Sequence, residues 1–356
     1  MATDGEASRP RDVEIPLTNV PSTPKSALAR PPSTRRTVRN GRLNCLYFHS
    51  LMKSRISRNG VHLFDRLSGL NILIDELRPD EEVWSASPRQ VSIALTNVCD
   101  FHCAYCYAPK HKASLRTDQV LSWLKELDIA GCLGIGFGGG EPTLHPDFVD
   151  ICKRAAGETL LAVTFTTHGH RLTPQLVERL KGSIHFARIS VDGVGRTYEE
   201  QRGKQFDSLL RGIDAISTLS PFGINVVVNE RTVAELDALS ERAQKTGASE
   251  LLLLPQQATT AVASMDGVVG RALQDCLSNY RGKVRLAVSE AGASGLPTCD
   301  PLPDERGLQA YAHIDASGML RASSYSSAGA KIGDAGVLSA LKRIRNTLEI
   351  KRETQS

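Results

Sequence analysis

The stretch CDFHCAYCYAP holds three cysteines at short and unequal spacing. Three residues separate Cys99 from Cys103 and two separate Cys103 from Cys106, and no fourth cysteine lies beside them. Thiolates are soft ligands that suit zinc and iron–sulfur clusters. A structural zinc site needs four protein ligands, and the nearest fourth donors are His102 and His111. Three thiolates alone fit better with a 4Fe–4S cluster that keeps one iron open, because a catalytic metal needs an open position.

Length, composition and charge narrow the class of protein. The chain has 356 residues, of which 41% are apolar and 23% are charged, and its net charge is +4. This balance supports a sizeable core and gives no concentrated basic face, so no nucleic acid partner is expected. No run of about 18 apolar residues occurs, so no membrane contact is expected, and the N-terminus lacks the apolar stretch of a secretory signal. We therefore expect a cytoplasmic protein, where clustered cysteines bind metal or react more often than they form disulfides.

Six apolar, β-branched runs recur between residues 90 and 255. They are QVSIALTN (90–97), LGIGFGG (133–139), LLAVTFTT (160–167), HFARISVD (185–192), GINVVVN (223–229) and ELLLLP (250–255). Amphipathic helical segments separate them, for example 117–131 and 232–247, and Thr232 and Glu235 have the spacing of a capping box. Nearly continuous apolar strands are buried on both faces, which predicts a parallel sheet. A partial (β/α)6 TIM-type barrel and an open doubly wound sheet both fit, and both collect ligands at the carboxyl ends of the strands.

The regions outside these repeats complete the predicted architecture, an α/β partial barrel with an N-terminal hairpin and a small α+β C-terminal cap. The predicted regions are a disordered basic tail rich in Pro and Ser (1–40), an N-terminal β-hairpin region (41–89), the core barrel (90–256) and a shortened C-terminal extension (257–356). The hairpin, GVHLFDRLSGLNILIDE, is interpreted as support for the barrel rather than as an edge for a peptide. In the extension we expect helices near 269–281 and 336–349 and a short strand pair between them.

The cysteine spacing, with an aromatic residue before the last thiol, resembles that of the radical S-adenosylmethionine (radical SAM) enzymes. In that family three cysteines hold a 4Fe–4S cluster, and S-adenosylmethionine chelates the free iron. Reductive cleavage of the sulfonium gives a 5′-deoxyadenosyl radical that abstracts hydrogen from a substrate. The resemblance implies one 4Fe–4S cluster on Cys99, Cys103 and Cys106, S-adenosylmethionine as a second cofactor, and an electron donor such as flavodoxin or ferredoxin.

Further segments carry the resemblance in the same order, each at the end of a predicted strand. GGGEP resembles the stretch that binds the methionine amino group, and ISVDG resembles a polar pair that faces the ribose and methionine. The Arg-Gly of QRGKQF implies a guanidinium for the methionine carboxylate, and INVVVN implies an amide for the ribose, with Asn229 close enough to compete. His168, in a Thr-His-Gly stretch, is interpreted as bonding the loop. The implied contacts to S-adenosylmethionine are Tyr105, Gly139, Gly140, Glu141, Pro142, Ser190, Asp192, Arg202 and Asn225.

Two functions outside this class remain open. GIGFGG (134–139) satisfies the dinucleotide-binding pattern G-x-G-x-x-G, which would make the chain a nicotinamide-dependent dehydrogenase. That pattern needs a helix to open at the glycines, whereas Glu141-Pro142 and His145-Pro146 delay a helix here. The second alternative is a zinc-binding interaction module. The ordered set of cysteine triplet, GGEP, ISVDG and Arg-Gly favours the radical enzyme over both.

The C-terminal extension resembles a degenerate form of the cysteine-rich (SPASM/twitch-like) extension that many relatives carry. It keeps Cys299 and a strand-like IDASGMLRASSY, but serine stands at Ser323 or Ser324, where a second cysteine would be expected. Since serine is a poor ligand for iron–sulfur clusters, we predict a cap that binds no second cluster. Cys299 is either a hydrogen-atom donor to a substrate radical or a packed cysteine, and the packed role is favoured.

The substrate is predicted from the hairpin and the remnant of the cap. Both favour a peptide-modifying oxidoreductase, a maturase that acts on a ribosomally made peptide by crosslinking, epimerisation or oxidation. The alternative within the same chemistry is a radical enzyme that acts on a small molecule or nucleotide.

Overall fold

The computed structural model describes residues 52–289, 302 and 305–353, with side chains up to residue 347. The strands within these residues are β1 (Lys53–Ser57), β2 (Gly60–Phe64), β3 (Asn71–Ile74), β4 (Gln90–Thr96), β5 (Gly134–Gly139), β6 (Ala162–Thr167), β7 (Phe186–Ser190), β8 (Phe222–Val228), β9 (Glu250–Pro255), β10 (Arg285–Val288), β11 (Tyr311–Ile314), β12 (Met319–Arg321) and β13 (Gly329–Lys331). The α-helices are α1 (Thr117–Ile129), α2 (Phe148–Glu158), α3 (Pro174–Leu180), α4 (Arg196–Arg202), α5 (Phe206–Ser217), α6 (Leu236–Thr246), α7 (Gly267–Asn279) and α8 (Gly336–Glu353).

One large sheet carries the architecture. Its strand order is β10-β9-β8-β7-β6-β5-β4-β11-β12-β13. All neighbours from β10 to β11 are parallel, and β12 and β13 follow in antiparallel pairs. Strands β4 to β9 are the six predicted strands, and helices connect each of them to the next. Among the described strands, β10 and β13 form the two edges, so the parallel α/β barrel is partial, as predicted.

The outer face of the parallel strands packs on the helices and forms the core. On β5, Ile135 and Phe137 are buried against helix side chains, and on α1 the buried stripe includes Val120, Leu124 and Leu127. The spacing of three and four residues along α1 puts these three side chains on one helix face. Burial of this apolar surface is the main term that holds the sheet and the helices together.

The inner face of the sheet is different: the prediction of strands buried on both faces was wrong for β5, β6, β7 and β9, whereas β8 is buried at six of its seven residues. Gly136, Thr164, Arg188 and Ser190 alternate with buried apolar neighbours along their strands and are only half-buried. Small and polar side chains on this face leave space inside the partial barrel, where a core of large apolar side chains would fill it. Strands β5, β6, β7 and β9 therefore alternate with period two, buried toward the helices and open toward the interior.

The predicted hairpin is confirmed, with β1 added to it as a third strand. Strands β1, β2 and β3 form an antiparallel sheet, with β2 and β3 joined through Ser68 and Gly69. The buried Arg55 of β1 donates to the carbonyl oxygens of Ser87 and Gly131 at 3.0 and 3.1 Å. Those two residues precede β4 and β5. The small sheet therefore attaches where the parallel strands begin, at the end opposite to the cysteines, as expected of a support.

The capping box predicted at Thr232 and Glu235 does not form. The Thr232 hydroxyl donates to the Val227 carbonyl at 2.6 Å, and the Glu235 carboxylate accepts the Val194 backbone N–H at 2.7 Å. A short 3-10 turn fills these positions and α6 begins at Leu236. Both side chains thus bond to tertiary partners and do not cap the helix.

The C-terminal elements agree with the helices and the strand pair expected there. Helices α7 and α8 cover the two predicted helical segments, and β11 pairs antiparallel with β12. Strand β11 also lies parallel to β4, so the extension continues the barrel sheet beyond its first strand. None of the helices in the described ranges combines the length and apolar character that a bilayer crossing requires.

Candidate functional site

The three cysteines follow directly on β4, at the carboxyl edge of the parallel sheet. Cys103 is buried, while Cys99 and Cys106 are half-buried. Phe101, Cys103 and Tyr105 form a small apolar cluster against which the other two cysteines pack. The thiols are thus held on one folded loop rather than on a free chain.

The GGEP segment packs tightly behind the start of this loop. The backbone N–H of Gly140 donates to the Thr96 carbonyl at 2.7 Å, and that of Glu141 donates to the Val98 carbonyl at 2.8 Å. A Cβ at residue 140 would lie 2.2 Å from the Val98 carbonyl oxygen. Only glycine permits this close approach, so the end of β5 fixes the path of the chain that leads into Cys99.

Glu141 is buried and its carboxylate joins its own turn to the end of β6. Its Oε1 accepts from the hydroxyls of Thr143 and Thr167 at 2.7 and 2.9 Å, and its Oε2 accepts from the His168 backbone N–H at 3.0 Å. A buried carboxylate with these partners cross-links the ends of β5 and β6. Pro142, also buried, starts the 3-10 turn that Glu141 caps.

His168 links this cross-link to the cysteine loop, in agreement with its interpretation from the sequence. Its Nε2 lies 2.8 Å from Asp100 Oδ1, and its ring stacks on Phe101 with a centroid distance of 4.0 Å. Asp100 and Phe101 lie between the first two cysteines. The contacts of His168 with Asp100 and Phe101 therefore hold the cysteine loop in place.

Asp192 is the centre of the second constellation of the site. Its Oδ2 accepts from the Tyr105 hydroxyl at 2.7 Å and lies 2.7 Å from Arg202 Nη2, and its Oδ1 accepts from the Val227 backbone N–H at 2.7 Å. Arg202 Nη1 also lies 3.7 Å from Cys103 Sγ. Residues from the cysteine loop, the end of β7 and the end of α4 thus meet at one carboxylate.

Burial and the neighbouring charges shift the pKa values of the groups in and beside this constellation. Burial raises the pKa of Tyr105 far above its usual value, and Asp192 raises it further, so the phenol stays protonated as a donor. Burial works to lower the pKa of Arg202, but Asp192 and its other neighbours outweigh it and the pKa lies above the ordinary value. Burial raises the pKa of Cys99 to about 11 and also raises that of Cys103, whose shift Arg202 opposes. A metal that binds these thiols must displace their protons.

Ser190 and Asn225 are neighbours across β7 and β8, so both lie on the inner face. The Asn225 Oδ1 accepts from Arg188 Nη1 at 3.2 Å. Its competitor Asn229 lies in the turn after β8, where its Oδ1 accepts from the backbone N–H groups of Arg231 and Thr232. Asn225 thus lies on the inner sheet face, whereas Asn229 follows the strand and lines a cavity beside Asp192. Cys299 lies outside the described residues.

Sequence reasoning missed several polar residues of the interior. Arg188 pairs with Glu250 across β8, and His170 Nε2 lies 2.8 Å from the Tyr198 hydroxyl. A charged residue inside the apolar strand HFARISVD was the available signal for Arg188. No comparable signal marked the His170–Tyr198 pair, because its members are remote in sequence.

The geometry rules out the dinucleotide interpretation and gives no support to the zinc module. GIGFGG is strand β5, and the next α-helix begins only at Phe148, so the glycines do not open a helix. His102 and His111 are exposed. The close group of metal-ligating atoms found in the described part of the chain is Cys99, Asp100 and His168, all within 4.8 Å, and two of these are hydrogen-bonded to each other.

A cavity of about 790 Å³ opens beside the Asp192 constellation. Tyr105, Arg202, Asn229 and Gln256 line it, together with residues of the segment before α7. The cavity therefore lies at the carboxyl ends of the strands, where an α/β barrel holds its ligands.

Known sequences resemble this chain over its barrel. Residues 93–243 match the model of the Radical SAM superfamily. The chain is 30% identical over 171 residues to AdoMet-dependent heme synthase of Methanosarcina barkeri, across 46% of this chain and 49% of that protein. It is 31% identical over 163 residues to mycofactocin maturase MftC of Mycobacterium tuberculosis, across 44% and 41%. It is 27% identical over 179 residues to a probable GTP 3′,8-cyclase of Sulfurisphaera tokodaii, across 47% and 56%.

The chain thus spans about half the length of the curated relatives it matches. Among solved structures, Streptococcus suis SuiB bound to precursor peptide SuiA has a TM-score of 0.63 and 14% identity, over 76% of this chain and 82% of that chain. The enzyme anSMEcpe with bound AdoMet has a TM-score of 0.53 and 14% identity, over 68% and 75%. These likenesses establish the partial-barrel fold. The family match ends at residue 243, so the cysteine-poor cap remains a prediction.

Proposed function

We propose that this protein, whose residues 93–243 match the model of the Radical SAM superfamily, reductively cleaves S-adenosylmethionine and modifies a peptide. The observation that carries the proposal is the meeting of Cys103, Tyr105, Asp192 and Arg202 at the end of the barrel. Three thiols on one loop suit a single 4Fe–4S cluster, with Cys99 and Cys106 as the remaining ligands.

The residues present fit both cofactors. The Arg202 Nε is buried and has no hydrogen-bond partner among the described residues, so a strongly basic guanidinium retains a donor for a carboxylate. The tight contact at Gly140 leaves no room for a side chain behind the cysteine loop. When bound, the two cofactors supply an organic radical that removes a hydrogen atom from an unactivated C–H bond.

Each residue of the site then has a defined task in the proposal. Cys99, Cys103 and Cys106 bind the cluster. Arg202 binds the carboxylate of S-adenosylmethionine, and Asp192 holds Arg202 and the Tyr105 hydroxyl in place. Ser190 and Asn225 offer polar atoms from the inner face, and the backbone of Gly139 and Gly140 lies beside the ligand. Glu141 and Pro142 act by positioning that backbone, since the Glu141 oxygens are already bonded.

A peptide substrate is supported by the names of two relatives. MftC is a maturase, and one SuiB structure holds a precursor peptide. A probable GTP cyclase among the relatives keeps a nucleotide as the competing substrate. We propose crosslinking, epimerisation or oxidation of a ribosomally made peptide, with a cytosolic flavodoxin or ferredoxin as the electron donor.

The test is an anaerobic assay for 5′-deoxyadenosine. The purified protein is reconstituted with iron and sulfide, then given reductant and S-adenosylmethionine, and the product is measured by chromatography with mass detection. We expect product and about four irons per chain for one cluster. Cys103→Ala should abolish the product, while Cys276→Ala, which removes a half-buried thiol on α7, should keep it.

Three results would contradict the proposal. The absence of product together with the absence of bound iron after reconstitution would favour the zinc module. Product that survives in Cys103→Ala would exclude the assigned cluster loop. About eight irons per chain would show that the C-terminal cap holds a second cluster.

A further inference from the structure

A second cavity, of about 360 Å³, lies between the cysteine loop and the C-terminal strands. Its lining includes Asn97, Tyr107, Gly139, His313, Arg321 and Ser324. Tyr107 directly follows Cys106, and Gly139 belongs to the GGEP segment, so the cavity shares two walls with the site described above. The volume lies in the range of small-ligand sites. We call it the β11 pocket, because His313 of β11 forms its inner wall.

His313 is held in the β11 pocket by two hydroxyl groups. Its side chain is buried, with 3% exposure. Its Nδ1 lies 2.6 Å from Ser92 Oγ, and Ser92 Oγ lies 2.5 Å from the Tyr311 hydroxyl. The Tyr107 ring packs edge-on to the imidazole at a centroid distance of 6.1 Å. Among the described residues, the Nε2 of His313 has no hydrogen-bond partner.

The two hydroxyls and the imidazole form one chain of hydrogen bonds that can run in two directions. Either direction leaves one proton without an acceptor in the described chain, that of the Tyr311 hydroxyl or that of His313 Nε2. A ligand acceptor in the β11 pocket would satisfy the Nε2 proton and so select the direction in which Tyr311 donates to Ser92 and Ser92 donates to His313 Nδ1. Burial lowers the pKa of His313 to about 4, so the ring is neutral near pH 7. In that direction the single ring proton sits on Nε2 and points to an acceptor outside this chain of hydroxyls.

The charge of the β11 pocket is balanced. Arg321 is the one cation among its described lining residues, and its Nε donates to Asp315 Oδ2 at 2.9 Å. Its Nη1 donates to the carbonyl oxygens of Ser326 and Ser327 at 3.0 and 2.6 Å. A triphosphate needs several unpaired cations or a helix N-terminus. The β11 pocket instead offers hydrogen-bond donors without excess charge, which suits the carbonyl oxygens of a peptide.

We propose that the β11 pocket binds the substrate peptide beside its reacting residue, and that His313 donates from Nε2 to one peptide carbonyl oxygen. Ser92 and Tyr311 act as positioning residues that fix the tautomer. This assignment rests on the proposed function, which it deepens by excluding a nucleoside triphosphate from this pocket. It also gives β11 a role, since that strand brings His313 to the first strand of the barrel.

The experiment measures binding without turnover, so it does not depend on radical chemistry. The full chain, reconstituted with its cluster and supplied with S-adenosylmethionine but no reductant, is incubated with two probes. One is a random mixture of N-acetylated, C-amidated pentapeptides, and the other is GTP. Ultrafiltration followed by mass spectrometry gives the retained fraction of each. The variants are His313→Ala, Ser92→Ala and, as a matched control, His111→Ala, whose side chain is exposed.

We expect the wild-type protein to retain a subset of the peptides and not GTP. Loss of one neutral hydrogen bond should weaken that retention about tenfold in His313→Ala. Ser92→Ala keeps the imidazole but frees its tautomer, so a smaller loss is expected, and the control should match wild type. Thermal melting of each variant checks that it is folded. If His313→Ala does not fold, the peptide retention of Ser92→Ala tests the inference instead.

Other outcomes would overturn the inference. These are retention of GTP that is lost in His313→Ala, equal peptide retention by all variants, and retention of neither probe by wild type. Failure of the proposed function would show differently, as the absence of 5′-deoxyadenosine from wild type given reductant. The two failures are therefore separable.

Discussion

At the scale of residues, spacing brought the three thiols together but did not predict their neighbours. Cys99, Cys103 and Cys106 can be read from a short stretch of sequence as a predicted ligand set, because metal ligands on one loop keep a fixed separation. Tyr105, Asp192 and Arg202 were each predicted from a separate motif to face S-adenosylmethionine. The structure adds that they bond to one another. The contact of Tyr105 with Asp192 joins residues 87 positions apart, and no local pattern encodes it.

Arg202 should be the most sensitive of these residues to a conservative change. Lysine keeps the charge but cannot serve Asp192, Cys103 and a cofactor carboxylate with separate donors. Since hydrogen bonds between charged groups contribute about 1.5–3 kcal/mol, Arg202→Lys should lower the rate of 5′-deoxyadenosine formation at low S-adenosylmethionine by about 10- to 100-fold. The assay compares rates over a range of S-adenosylmethionine concentrations.

The matched control for this change lies on the same helix. Arg196 begins α4 and its side chain is 90% exposed, so Arg196→Lys should leave the rate within about twofold. An unchanged rate in Arg202→Lys would mean that the buried guanidinium does not bind the cofactor.

At the scale of elements, periodicity located the strands and helices well because the outer sheet face and the helix stripes follow regular patterns. Two features escaped it. The inner strand residue Arg188 is polar and bonds across the inner face to Glu250 and Asn225. Thr232 and Glu235 match a capping pattern, yet each found a tertiary partner instead. Local signals fail where a remote group competes for the same side chain.

Arg66 connects two elements and should stabilise both. It lies in the turn between β2 and β3, and its guanidinium donates to the carbonyl oxygens of Ala156 and Thr159 at the end of α2 and of Leu161 just beyond it. Cations are favoured at helix C-termini, where carbonyl oxygens lack partners. Arg66→Met should lower the free energy of unfolding by about 2 kcal/mol in urea titrations.

A control for the Arg66 substitution is available on α3. Arg179, in the last turn of α3, is exposed and its guanidinium has no bonded partner in the described chain. Arg179→Met should change the free energy of unfolding by less than about 0.5 kcal/mol. Equal effects of the two substitutions would show that the contact with α2 does not hold the small sheet in place.

At the scale of the whole molecule, order along the chain predicted the barrel but not what attaches to it. Strands β4 to β9 pair in sequence order, which is the usual outcome for strand–helix repeats. The pairing of β11 with β4 joins segments more than 200 residues apart and has no sequence signature. The β11 pocket depends on that pairing, so the sequence alone could not predict it.

Acid should weaken the fold through a histidine that is held neutral. His185 Nδ1 accepts the Val163 backbone N–H at 3.0 Å, and burial lowers the pKa of His185 to about 4, below its ordinary value of 6.5. Between these two pH values the unfolded chain binds more protons, so the free energy of unfolding rises with pH there and is level with respect to His185 above about 6.5.

Urea titrations at pH 7.5, 6 and 5 check this dependence. The stability of the wild-type protein should fall toward pH 5, and His185→Gln should fall less steeply. The exposed His111→Gln serves as the control and should keep the wild-type slope. Identical slopes in wild type and His185→Gln would contradict the assignment.

The N-terminal sheet, the barrel and the C-terminal extension are held together by one buried ion-pair network. Arg55 Nε lies 3.0 Å from Glu305 Oε1, and Arg89 Nη1 lies 3.2 Å from Glu305 Oε2, while Arg55 also bonds the carbonyl of Gln309. Glu305 is 1% exposed. Burial lowers the pKa of Arg55 and Glu305 opposes that shift, so the carboxylate keeps the guanidinium charged.

Removal of the Glu305 charge should therefore destabilise the whole molecule rather than one segment. Breaking a buried pair leaves an uncompensated charge, so Glu305→Gln should lower the free energy of unfolding by about 3 kcal/mol. Glu200→Gln, at the exposed ion pairs with Arg196 and Arg231, should cost less than about 1 kcal/mol. Urea titrations followed by circular dichroism and by tryptophan fluorescence measure both variants. Trp84 lies in the hairpin region and Trp123 lies in α1. If the network unites the three parts, the unfolding midpoints from circular dichroism and from fluorescence should shift together. A shift of only one midpoint would show that the parts unfold separately.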